Sequence, residues 1–368
     1  MPTPITIAPC RLRGKVIVPP SKSHAHRLLI ANFLAGERAM LEPADGDNAD
    51  IQATKRCLKA LAEPGGKCTL DCGESGSTLR FLAPLAAALG KKPEFVRRGR
   101  LAERPFKAYE TLEPGVHELA GNVSSQFVTG LLFALPLLKG DSEIRFTTPL
   151  ESKGYVEMTL RVVRKAGIVV EATAEGYHVP GSQIFKVQSA KVEGDWSGAA
   201  FWYGANALGN DIEIDGLDLE SAQPDRVIDA LAGDWPETID VSECPDNFPI
   251  LAVMAADKPK RTVFTGIRRL RLKECDRVAA MAEVLTRFGV QVEVTEGEFA
   301  VRGTQAKFKG GEFPTQNDHR IAMAIAIGAT RAGSPVTIDN ADCAAKSYPT
   351  FFREYLALSS RRCFTPVG

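Results

Sequence analysis

The sequence predicts an α/β protein of two domains, and three observations carry that expectation. The chain has 368 residues, which is more than one hydrophobic core usually supports. A short polar turn that leads into an apolar helix pattern recurs six times. Between these helices, amphipathic helices alternate with short segments of strand character. Six α/β units, split three and three, would form two similar domains.

The six polar turns are spaced about fifty to seventy residues apart, which is the length of a supersecondary unit. Each leads into a stretch that is apolar on nearly every face, and this indicates a buried helix. Simple alternation of strands and helices does not explain why every turn carries Ser, Asp or Asn. The turns begin at Ser21, Ser75, Ser124, Asp195, Asp246 and Asp318.

The remaining elements follow from hydrophobic periodicity. Residues 216–221 read Gly-Leu-Asp-Leu-Glu-Ser, and they are a candidate crossing between the two halves. Amphipathic helices are predicted at residues 50–61, 155–166, 225–231 and 276–288. Strands are predicted at residues 15–18, 142–146, 212–214, 262–264, 290–294 and 335–338.

Composition excludes several classes of protein. The formal net charge is zero, so no global basic field would attract nucleic acid or an anionic membrane. Hydrophobic residues make up 44% and charged residues 24% of the chain, which is ordinary for a globular enzyme. No apolar run is long enough to span a bilayer, and the N-terminus lacks the pattern of a signal peptide. A cytoplasmic location is therefore expected.

The cysteines and histidines do not indicate a disulfide framework or a metal site. The eight cysteines are scattered without any C-x-x-C pair, and the five histidines are also dispersed. Disulfide scaffolds and zinc sites both require closely patterned ligands. We therefore expect neither a metal ion nor a disulfide framework.

Cations recur beside the polar helix starts. A helix start offers unpaired N–H groups and the positive end of the helix dipole, and Gly lets a ligand approach the backbone. For any single start, plain N-capping is the simpler explanation. The recurrence of cations in a neutral protein instead favours phosphates and carboxylates as ligands. These cations are Lys22, Arg27, Arg80, Arg271, Lys273, Arg277, Arg320 and Lys346.

Familiar catalytic motifs are absent from the sequence. Residues 73–77 read Gly-Glu-Ser-Gly-Ser, but a nucleophile elbow requires Gly where Ser77 stands. No segment matches the dinucleotide fingerprint or the P-loop pattern.

Residues 20–27 read Pro-Ser-Lys-Ser-His-Ala-His-Arg, and this segment resembles the opening motif of the 5-enolpyruvylshikimate-3-phosphate synthases (3-phosphoshikimate 1-carboxyvinyltransferases). Further blocks agree with that family in the same order along nearly the whole chain. They are residues 73–80, 100–105 (Arg-Leu-Ala-Glu-Arg-Pro), 124–126 (Ser-Ser-Gln), 192–195, 272–277 (Leu-Lys-Glu-Cys-Asp-Arg), 317–320 (Asn-Asp-His-Arg) and 345–349.

The resemblance implies an enolpyruvyl transferase fold, in which each of two domains contains three βαβαββ units related by pseudo-threefold symmetry. Residues 1–20 and 222–368 would form the first domain, and residues 21–221 would form the second. The active site would lie in the cleft between them, and the domains would close on binding. Phosphoenolpyruvate and shikimate 3-phosphate would be the substrates, without metal or organic cofactor. We expect a monomer without nucleic-acid or membrane partners.

The resemblance also implies roles for individual residues. Lys22, Asp246 and Glu274 would be catalytic, with Lys22 helping proton transfer and the two carboxylates acting as acid and base. Shikimate 3-phosphate would contact Ser23, Arg27, Ser124, Ser125, Gln126, Ser152, Tyr155, Asp246 and Lys273. Phosphoenolpyruvate would contact Lys22, Gly76, Arg100, Gln126, Arg277, Arg320 and Lys346.

These residue types suit the implied chemistry. A hydroxyl loses its proton as it adds to C2 of phosphoenolpyruvate, C3 gains a proton, and phosphate leaves from the tetrahedral intermediate. Such a reaction needs a base, an acid and several cations around clustered negative charge. Ordinary structural roles compete with this interpretation. Glu274 and Arg277 could form a surface pair on a helix, and Asp246 could be only an N-cap.

Three features depart from the family pattern. The Gly-rich block commonly reads Asn-Ala-Gly-Thr, whereas here Glu74 opens it. A carboxylate facing the ligands would repel phosphoenolpyruvate and the anionic inhibitor glyphosate, unless it turns away or pairs with a cation. Residues 269–270 are Arg-Leu where the family commonly has Asn-Trp, and residues 243–249 lack the usual Ala-rich continuation.

Two alternative functions follow from the same pattern. A UDP-N-acetylglucosamine 1-carboxyvinyltransferase would share the fold and the donor, but it usually carries Lys-Asn in the first motif and a reactive Cys in a mobile loop. This chain has Lys22-Ser23, and no Cys lies between Cys72 and Cys244. A non-catalytic anion-binding relative would be expected to lose Lys22, Asp246 or Glu274, and all three are present.

Overall fold

The computed structural model describes residues 3–44, 46–104, 106–359 and 364–366. The chain forms two compact units. The first unit comprises Met1–Ser21 and Glu193–Gly368, and the second comprises Lys22–Val192. No helix within the described ranges is both long and apolar enough to span a membrane.

The elements follow one another in mixed α/β order. The first unit begins with strands β1 (Ile5–Ile7) and β2 (Arg13–Ile17). The second unit contains α1 (Lys22–Leu34), α2 (Ala49–Ala62), β3 (Lys67–Gly73), α3 (Gly76–Ala88), β4 (Lys92–Arg97), β5 (Gly115–Ala120), α4 (Ser125–Ala134), β6 (Ser142–Thr148), α5 (Lys153–Lys165), β7 (Glu171–Ala172) and β8 (Gly176–Val179).

The chain then completes the first unit. Its elements are α6 (Trp196–Ala207), β9 (Asp211–Asp215), α7 (Val227–Gly233), β10 (Thr238–Asp240), α8 (Phe248–Ala256), β11 (Arg261–Thr265), α9 (Arg277–Arg287), β12 (Gln291–Val294), β13 (Phe299–Arg302), β14 (Gly311–Phe313), α10 (His319–Ala329), β15 (Val336–Ile338), α11 (Phe351–Leu358) and β16 (Phe364–Pro366). Short 3-10 helices cover Ala39–Leu41, Gly99–Ala102, Leu135–Leu137, Pro224–Arg226, Arg268–Leu272 and Asp342–Lys346.

One βαβαββ pattern recurs in the sheets. In the second unit, β5 and β6 are parallel, and β8 and β7 complete the sheet in antiparallel directions. The sheet β10-β11-β13-β12 repeats this order and these directions in the first unit. The sheet β14-β15-β1-β16 repeats them again, with β1 supplied by the start of the chain.

The other two sheets are shortened versions of this unit. Strands β3 and β4 form one parallel pair, and β2 and β9 form another. In the described part of the chain, the predicted unit is therefore complete three times and reduced to its parallel strands twice. The predicted mixed α/β class and the alternating elements agree with the structure.

The helices that follow the polar turns are buried, as the sequence predicts. Every residue of α8 and of α10 is buried, because apolar residues occupy all faces of these helices and both lie inside the first unit. In the second unit, α3 and α4 pack closely, since a Cβ at Gly130 would collide with the carbonyl oxygen of Arg80 and with Pro84. This close approach brings the starts of α3 and α4 together.

The boundary at which the chain leaves the second unit and returns to the first lies between Val192 and Glu193, and this differs from the prediction. Residues 193–221 group with the first unit, whereas the sequence placed the crossing after residue 221. Strand β9 pairs in parallel with β2, and Trp196, Phe201 and Trp202 of α6 belong to the core of the first unit. These long-range contacts determine the boundary, and the sequence of residues 216–221 did not reveal them.

Candidate functional site

The polar turns cap their helices in most cases. Side chains of Ser75, Ser124, Asp195 and Asp318 accept hydrogen bonds from backbone N–H groups in the first turns of α3, α4, α6 and α10. Helix α8 is different, because its N-cap Asn247 makes no side-chain cap. The interpretation of Asp246 as a plain N-cap is therefore wrong, and its carboxylate binds cations instead, as described below.

Lys22 and Asp50 form an ion pair in the second unit. Nζ of Lys22, at the first residue of α1, lies 2.9 Å from Oδ2 of Asp50 in α2. The exposed fractions of the two side chains are 14% and 7%. A largely buried carboxylate thus holds the ammonium group at one position, and the sequence analysis did not identify this partner.

Arg27, in α1, contacts α5 and also α4, where Thr129 Oγ1 accepts from Nη2 over 3.4 Å. Its Nε donates to Thr159 Oγ1 over 2.8 Å, and Nη2 donates to the Tyr155 carbonyl over 2.8 Å. Nη1 donates to the Ser23 carbonyl over 2.6 Å. Burial lowers the pKa of Arg27 to about 10, so the group stays charged at neutral pH. The structure brings Ser23, Arg27 and Tyr155 together.

The starts of α3 and α4 are joined through Gln126. Its Oε1 accepts from Nη1 of Arg80 over 2.6 Å, and its Nε2 donates to Ser77 Oγ over 3.0 Å. A Cβ at Gly76 would lie 2.8 Å from Nη1 of Arg80 and 3.2 Å from Nη1 of Arg104. Two guanidinium groups therefore flank the glycine that begins α3.

Ser124, Ser125 and Ser152 also occupy helix starts. Ser124 is the N-cap of α4 and Ser125 is its first, buried residue. Ser152 is buried and precedes α5 in the left-handed conformation, with φ of 56°. For a residue other than Gly this conformation is uncommon and often marks a functional position.

Within the block at residues 100–105, Arg104 is the arginine beside Gly76. Arg100 is exposed on the short helix Gly99–Ala102, whereas the guanidinium of Arg104 lies next to Gly76. The resemblance assigned Arg100 to phosphoenolpyruvate and did not single out Arg104.

In the first unit, Asp246 is surrounded by three cations. Its Oδ1 accepts from Nη1 of Arg277 over 2.8 Å and lies 3.4 Å from Nζ of Lys273. Its Oδ2 accepts from Nη2 of Arg320 over 3.0 Å. Burial by itself raises the pKa of this carboxyl, but Arg320, Lys273 and Arg277 together hold it well below the usual range. Asp246 is therefore ionised at neutral pH.

Arg277 connects Asp246 to two further carboxylates. Nη2 donates to Glu274 Oε2 over 2.9 Å, and Nε donates to Asp318 Oδ2 over 2.8 Å. The exposed fraction of the Arg277 side chain is 1% and that of Glu274 is 14%. The interpretation of Glu274 and Arg277 as a surface pair is thus wrong. Asp318, which the sequence suggested only as a helix start, is a member of this cluster.

Lys273 has an altered acidity. Its pKa is lowered to about 8, mainly by burial and also by the charges of Arg277 and Arg269, while the charges of Asp246 and Glu274 oppose the shift. Its charge therefore changes within an accessible pH range, unlike that of an ordinary lysine.

Lys346 completes the description of the predicted residues in this unit. Lys346 is half-buried at the end of the short helix Asp342–Lys346. The carbonyl of Ser197, in the first turn of α6, lies 3.5 Å from Nη1 of Arg320. Among the residues that the structure describes, no group of three or more His, Cys, Asp or Glu side chains is arranged to hold a metal ion.

Comparison with protein families gives a match over two segments of the chain. The EPSP synthase (3-phosphoshikimate 1-carboxyvinyltransferase) family model matches residues 102–235 and 232–355. A 3-phosphoshikimate 1-carboxyvinyltransferase from Clostridium perfringens (strain SM101 / Type A) is 36% identical, over 96% of this chain and 98% of the relative. One from Clostridium kluyveri is 37% identical, over 96% of this chain and 97% of the relative.

Solved structures have the same fold. EPSP synthase from Acinetobacter baumannii superposes with a TM-score of 0.76 at 20% identity, covering 99% of this chain and 100% of that one. The enolpyruvyl transferase NikO from Streptomyces tendae superposes with a TM-score of 0.72 at 15% identity, covering 100% of both chains. At these identities the likeness establishes the enolpyruvyl transferase fold.

Proposed function

Because this chain belongs to the EPSP synthase (3-phosphoshikimate 1-carboxyvinyltransferase) family, we propose that it transfers the enolpyruvyl group of phosphoenolpyruvate to the 5-hydroxyl of shikimate 3-phosphate. Phosphate is released, and the product enters the biosynthesis of aromatic amino acids. The observation that supports this function best is the convergence of Lys273, Arg277 and Arg320 on Asp246.

Charge complementarity supports the binding of two anionic substrates. In the second unit, Lys22 and the guanidinium groups beside Gly76 suit the carboxylate and phosphate of phosphoenolpyruvate. In the first unit, Arg277, Arg320 and Lys346 serve the same substrate. Shikimate 3-phosphate is bound by Lys273 and by residues of the second unit in or next to α1, α4 and α5. These residues are Ser23, Arg27, Ser124, Ser125, Gln126, Ser152 and Tyr155.

Proton transfer requires a base for the 5-hydroxyl and an acid for C3 of phosphoenolpyruvate. A carboxylate held by three cations is a weak base. When substrate anions compete for Arg277 and Arg320, the hold on Asp246 weakens and its basicity increases. Asp246 then accepts the hydroxyl proton as the oxygen adds to C2, while Glu274 and Lys22 supply and recover the proton at C3. Phosphate leaves from the tetrahedral intermediate as the C3 proton is lost.

The acceptor assay tests this function. We expect inorganic phosphate to be released from phosphoenolpyruvate with shikimate 3-phosphate and not with UDP-N-acetylglucosamine. Equal or faster release with UDP-N-acetylglucosamine would show that the proposed acceptor is wrong. Absence of release with both acceptors would support a non-catalytic anion-binding protein. The cytoplasmic location, the monomeric state and a substrate site between the two units stay predictions.

A further inference from the structure

The chain crosses between the two units twice, and within the first unit both crossings start from one place. The first crossing follows Ser21, and the second ends at Glu193. The backbone N–H of Ser21 donates to the Glu193 carbonyl over 2.7 Å, and the N–H of Asp195 donates to the Pro19 carbonyl over 2.9 Å. The last residue before the first crossing is therefore hydrogen-bonded to the first residue after the second crossing.

The side-chain amide of Gln223 binds both of these segments. Its Oε1 accepts from Ser21 Oγ over 2.9 Å and from the N–H of Trp196 over 3.1 Å. Its Nε2 donates to the Gly194 carbonyl over 2.8 Å and to Oε2 of Glu193 over 3.2 Å. Ser21 and Gln223 are buried, with exposed fractions of 0% and 3%. Because an amide both donates and accepts, this one side chain can hold the two segments together.

Ser221 adds a hydroxyl group to the same place. Its Oγ donates to Oε2 of Glu193 over 2.6 Å and accepts from the N–H of Gln223 over 3.1 Å. Ser21, Glu193, Ser221 and Gln223 form one cluster of hydrogen bonds, the Gln223 cluster. Ser221 ends the segment 216–221, at which the sequence predicted a crossing. The chain does not cross there, but the end of this segment holds the two real crossings.

Backbone pairing aligns the segments only up to the crossings. Strands β2 and β9 are parallel, and the N–H of Val18 extends this pairing by donating to the Asp215 carbonyl over 3.0 Å. Ser21 and Glu193 themselves lie in no helix or strand. The Gln223 cluster therefore acts on the residues directly beside the crossings, where the regular pairing of the strands has ended.

The second unit holds the same two segments with another buried amide. Asn32, in α1, donates from Nδ2 to the Gln188 carbonyl over 3.1 Å, and its Oδ1 accepts from the N–H of Gln188 over 2.8 Å. The exposed fraction of Asn32 is 1%. Residues 189–192 follow this contact and belong to no helix or strand. Hinges consist of a few loop or element-terminal residues, and here these are residues 189–192 and the Ser21–Lys22 peptide.

From this geometry we propose that Gln223 is a positioning residue, which keeps the two crossings together so that the units close about one axis. Crossings that moved independently would permit closure in several orientations, whereas two neighbouring fixed points define a single axis. The inference rests on the proposed function, in which Lys22 of the second unit and Arg277 and Arg320 of the first bind the same phosphoenolpyruvate. Gln223 acts through the backbone at the crossings and touches neither substrate.

The test compares the KM for phosphoenolpyruvate, from phosphate release, with the Kd of shikimate 3-phosphate, from titration calorimetry. Most residues proposed to bind shikimate 3-phosphate belong to the second unit, whereas those for phosphoenolpyruvate come from both. We expect Gln223→Ala to raise the KM for phosphoenolpyruvate about fivefold, at the lower end of coupling between distant groups. The Kd of shikimate 3-phosphate should stay unchanged. Ser221→Ala should raise the same KM by a smaller factor, and it serves as the test if Gln223→Ala does not fold.

A paired exchange separates the role of the cluster from general damage. Gln223→Glu keeps the length of the side chain and an acceptor for Ser21, but it places a second carboxylate beside Glu193. We expect this variant to raise the KM for phosphoenolpyruvate more than Gln223→Ala does. Adding Glu193→Gln returns one amide and one carboxylate to the pair, so the double variant should recover most of the affinity.

Asn210 provides the matched control. It is also a buried amide of the first unit, and it accepts from the N–H of Leu12 over 2.7 Å and donates to the Ala205 carbonyl over 2.8 Å. Asn210→Ala should lose unfolding free energy as Gln223→Ala does, because both leave buried backbone groups without their amide partner. It should keep the wild-type KM for phosphoenolpyruvate.

The outcomes distinguish the inference from the proposed function. If wild-type protein releases no phosphate with shikimate 3-phosphate, the proposed function fails and the inference fails with it. If wild-type protein is active and Gln223→Ala loses only stability, the positioning role alone is wrong. Equal increases in the KM for phosphoenolpyruvate and the Kd of shikimate 3-phosphate, or no recovery in the exchanged pair, would also overturn it.

Discussion

Arg277 donates from Nε to Oδ2 of Asp318 over 2.8 Å, and the exposed fractions of the two side chains are 1% and 0%. Asp318 also caps α10 by accepting from the N–H of Arg320 over 2.9 Å. One carboxylate thus fixes both the side chain of Arg277 and the first turn that carries Arg320. Because these two arginines hold Asp246, the whole cluster depends on a residue that is not itself predicted to touch substrate.

Replacement of Asp318 by Asn tests this dependence. Asn can still cap the helix, so the variant reports the loss of charge beside Arg277. Removing one partner of a buried ion pair costs about 3–5 kcal/mol of unfolding free energy, and we expect a loss of that size in chemical denaturation. The KM for phosphoenolpyruvate should also increase.

The exposed pair of Arg287 with Glu283 is the control for Asp318→Asn. Its distance is also 2.8 Å, but the exposed fractions are 45% and 38%. Exposed pairs contribute about 0–1 kcal/mol, so Glu283→Gln should leave stability and kinetics nearly unchanged. Equal stability of the Asp318→Asn variant and the wild type would contradict the central role of Asp318.

Lys22 and Asp50 provide a second prediction. Lys22→Met should lower kcat about 10²- to 10⁴-fold, which is the usual contribution of a group that transfers a proton. Asp50→Asn should lower kcat less, because the ammonium group remains but loses its fixed position. Both variants are measured by phosphate release under saturating substrates.

Lys15 and Asp215 serve as the matched exposed pair for this second experiment. Their Nζ and Oδ2 atoms are 2.6 Å apart, with exposed fractions of 49% and 46%. Asp215→Asn should not change kcat. A Lys22→Met variant that turns over at the wild-type rate would exclude Lys22 from proton transfer.

The lowered pKa of Lys273 predicts a pH dependence of activity. The group is charged below about pH 8 and loses its charge as pH rises through that value. If the charge binds shikimate 3-phosphate, kcat/KM for this substrate falls above about pH 8, since kcat/KM reports the free enzyme. The Lys273→Met variant should have a low kcat/KM for shikimate 3-phosphate at every pH, without the decrease above about pH 8. An unchanged profile in Lys273→Met would assign the transition to another group.

Titration of Lys273 affects the stability of the fold in the opposite direction, because unfolding free energy increases with pH while kcat/KM decreases. The ordinary pKa of a lysine is 10.5, and the folded value is about 8, so the unfolded chain binds more protons between these values. Unfolding free energy should therefore increase with pH over that interval. Comparison of wild type with Lys273→Met by denaturant titration isolates this contribution.

His26 predicts acid sensitivity. It is fully buried, and its Nδ1 lies 2.7 Å from Thr54 Oγ1. Its pKa is lowered from 6.5 to about 3, mainly by burial and also by the charges of Lys22 and Arg27, while the charge of Asp50 opposes the shift. The unfolded chain thus binds an extra proton as pH falls from 6.5 toward 3, so this stability is lost on acidification.

The loss of unfolding free energy expected from His26 is about 2–3 kcal/mol at pH 4.5. Each pH unit below the ordinary pKa of 6.5 contributes about 1.36 kcal/mol. His26→Asn does not titrate, so its stability should change less than that of wild type between pH 7 and pH 4.5. His178→Asn is the control, because the His178 side chain is 32% exposed. Identical acid sensitivity of wild type and His26→Asn would show that His26 does not contribute.

Several features of the fold were predictable because they depend on neighbouring residues. The four predicted amphipathic helices and the six predicted strands coincide with elements of the structure, with shifts of at most two residues at their ends and a 3-10 turn at the start of the helix at residues 225–231. Apolar periodicity determines such elements locally. The capping by Ser75, Ser124, Asp195 and Asp318 was equally predictable, since an N-cap needs only the chain that follows it.

The sequence by itself determined the α/β class, the six polar helix starts and the family, because these depend on the order and type of residues along the chain. Only the tertiary structure decided which cation meets which carboxylate. Asp246 meets Lys273, Arg277 and Arg320 across 27, 31 and 74 residues, and the Arg104 guanidinium lies beside Gly76. The boundary before residue 193 and the placement of the Glu74 carboxylate against Gly99 were decided in the same way. The physical reason is that packing between distant segments orients these side chains, and residue order alone does not determine that packing.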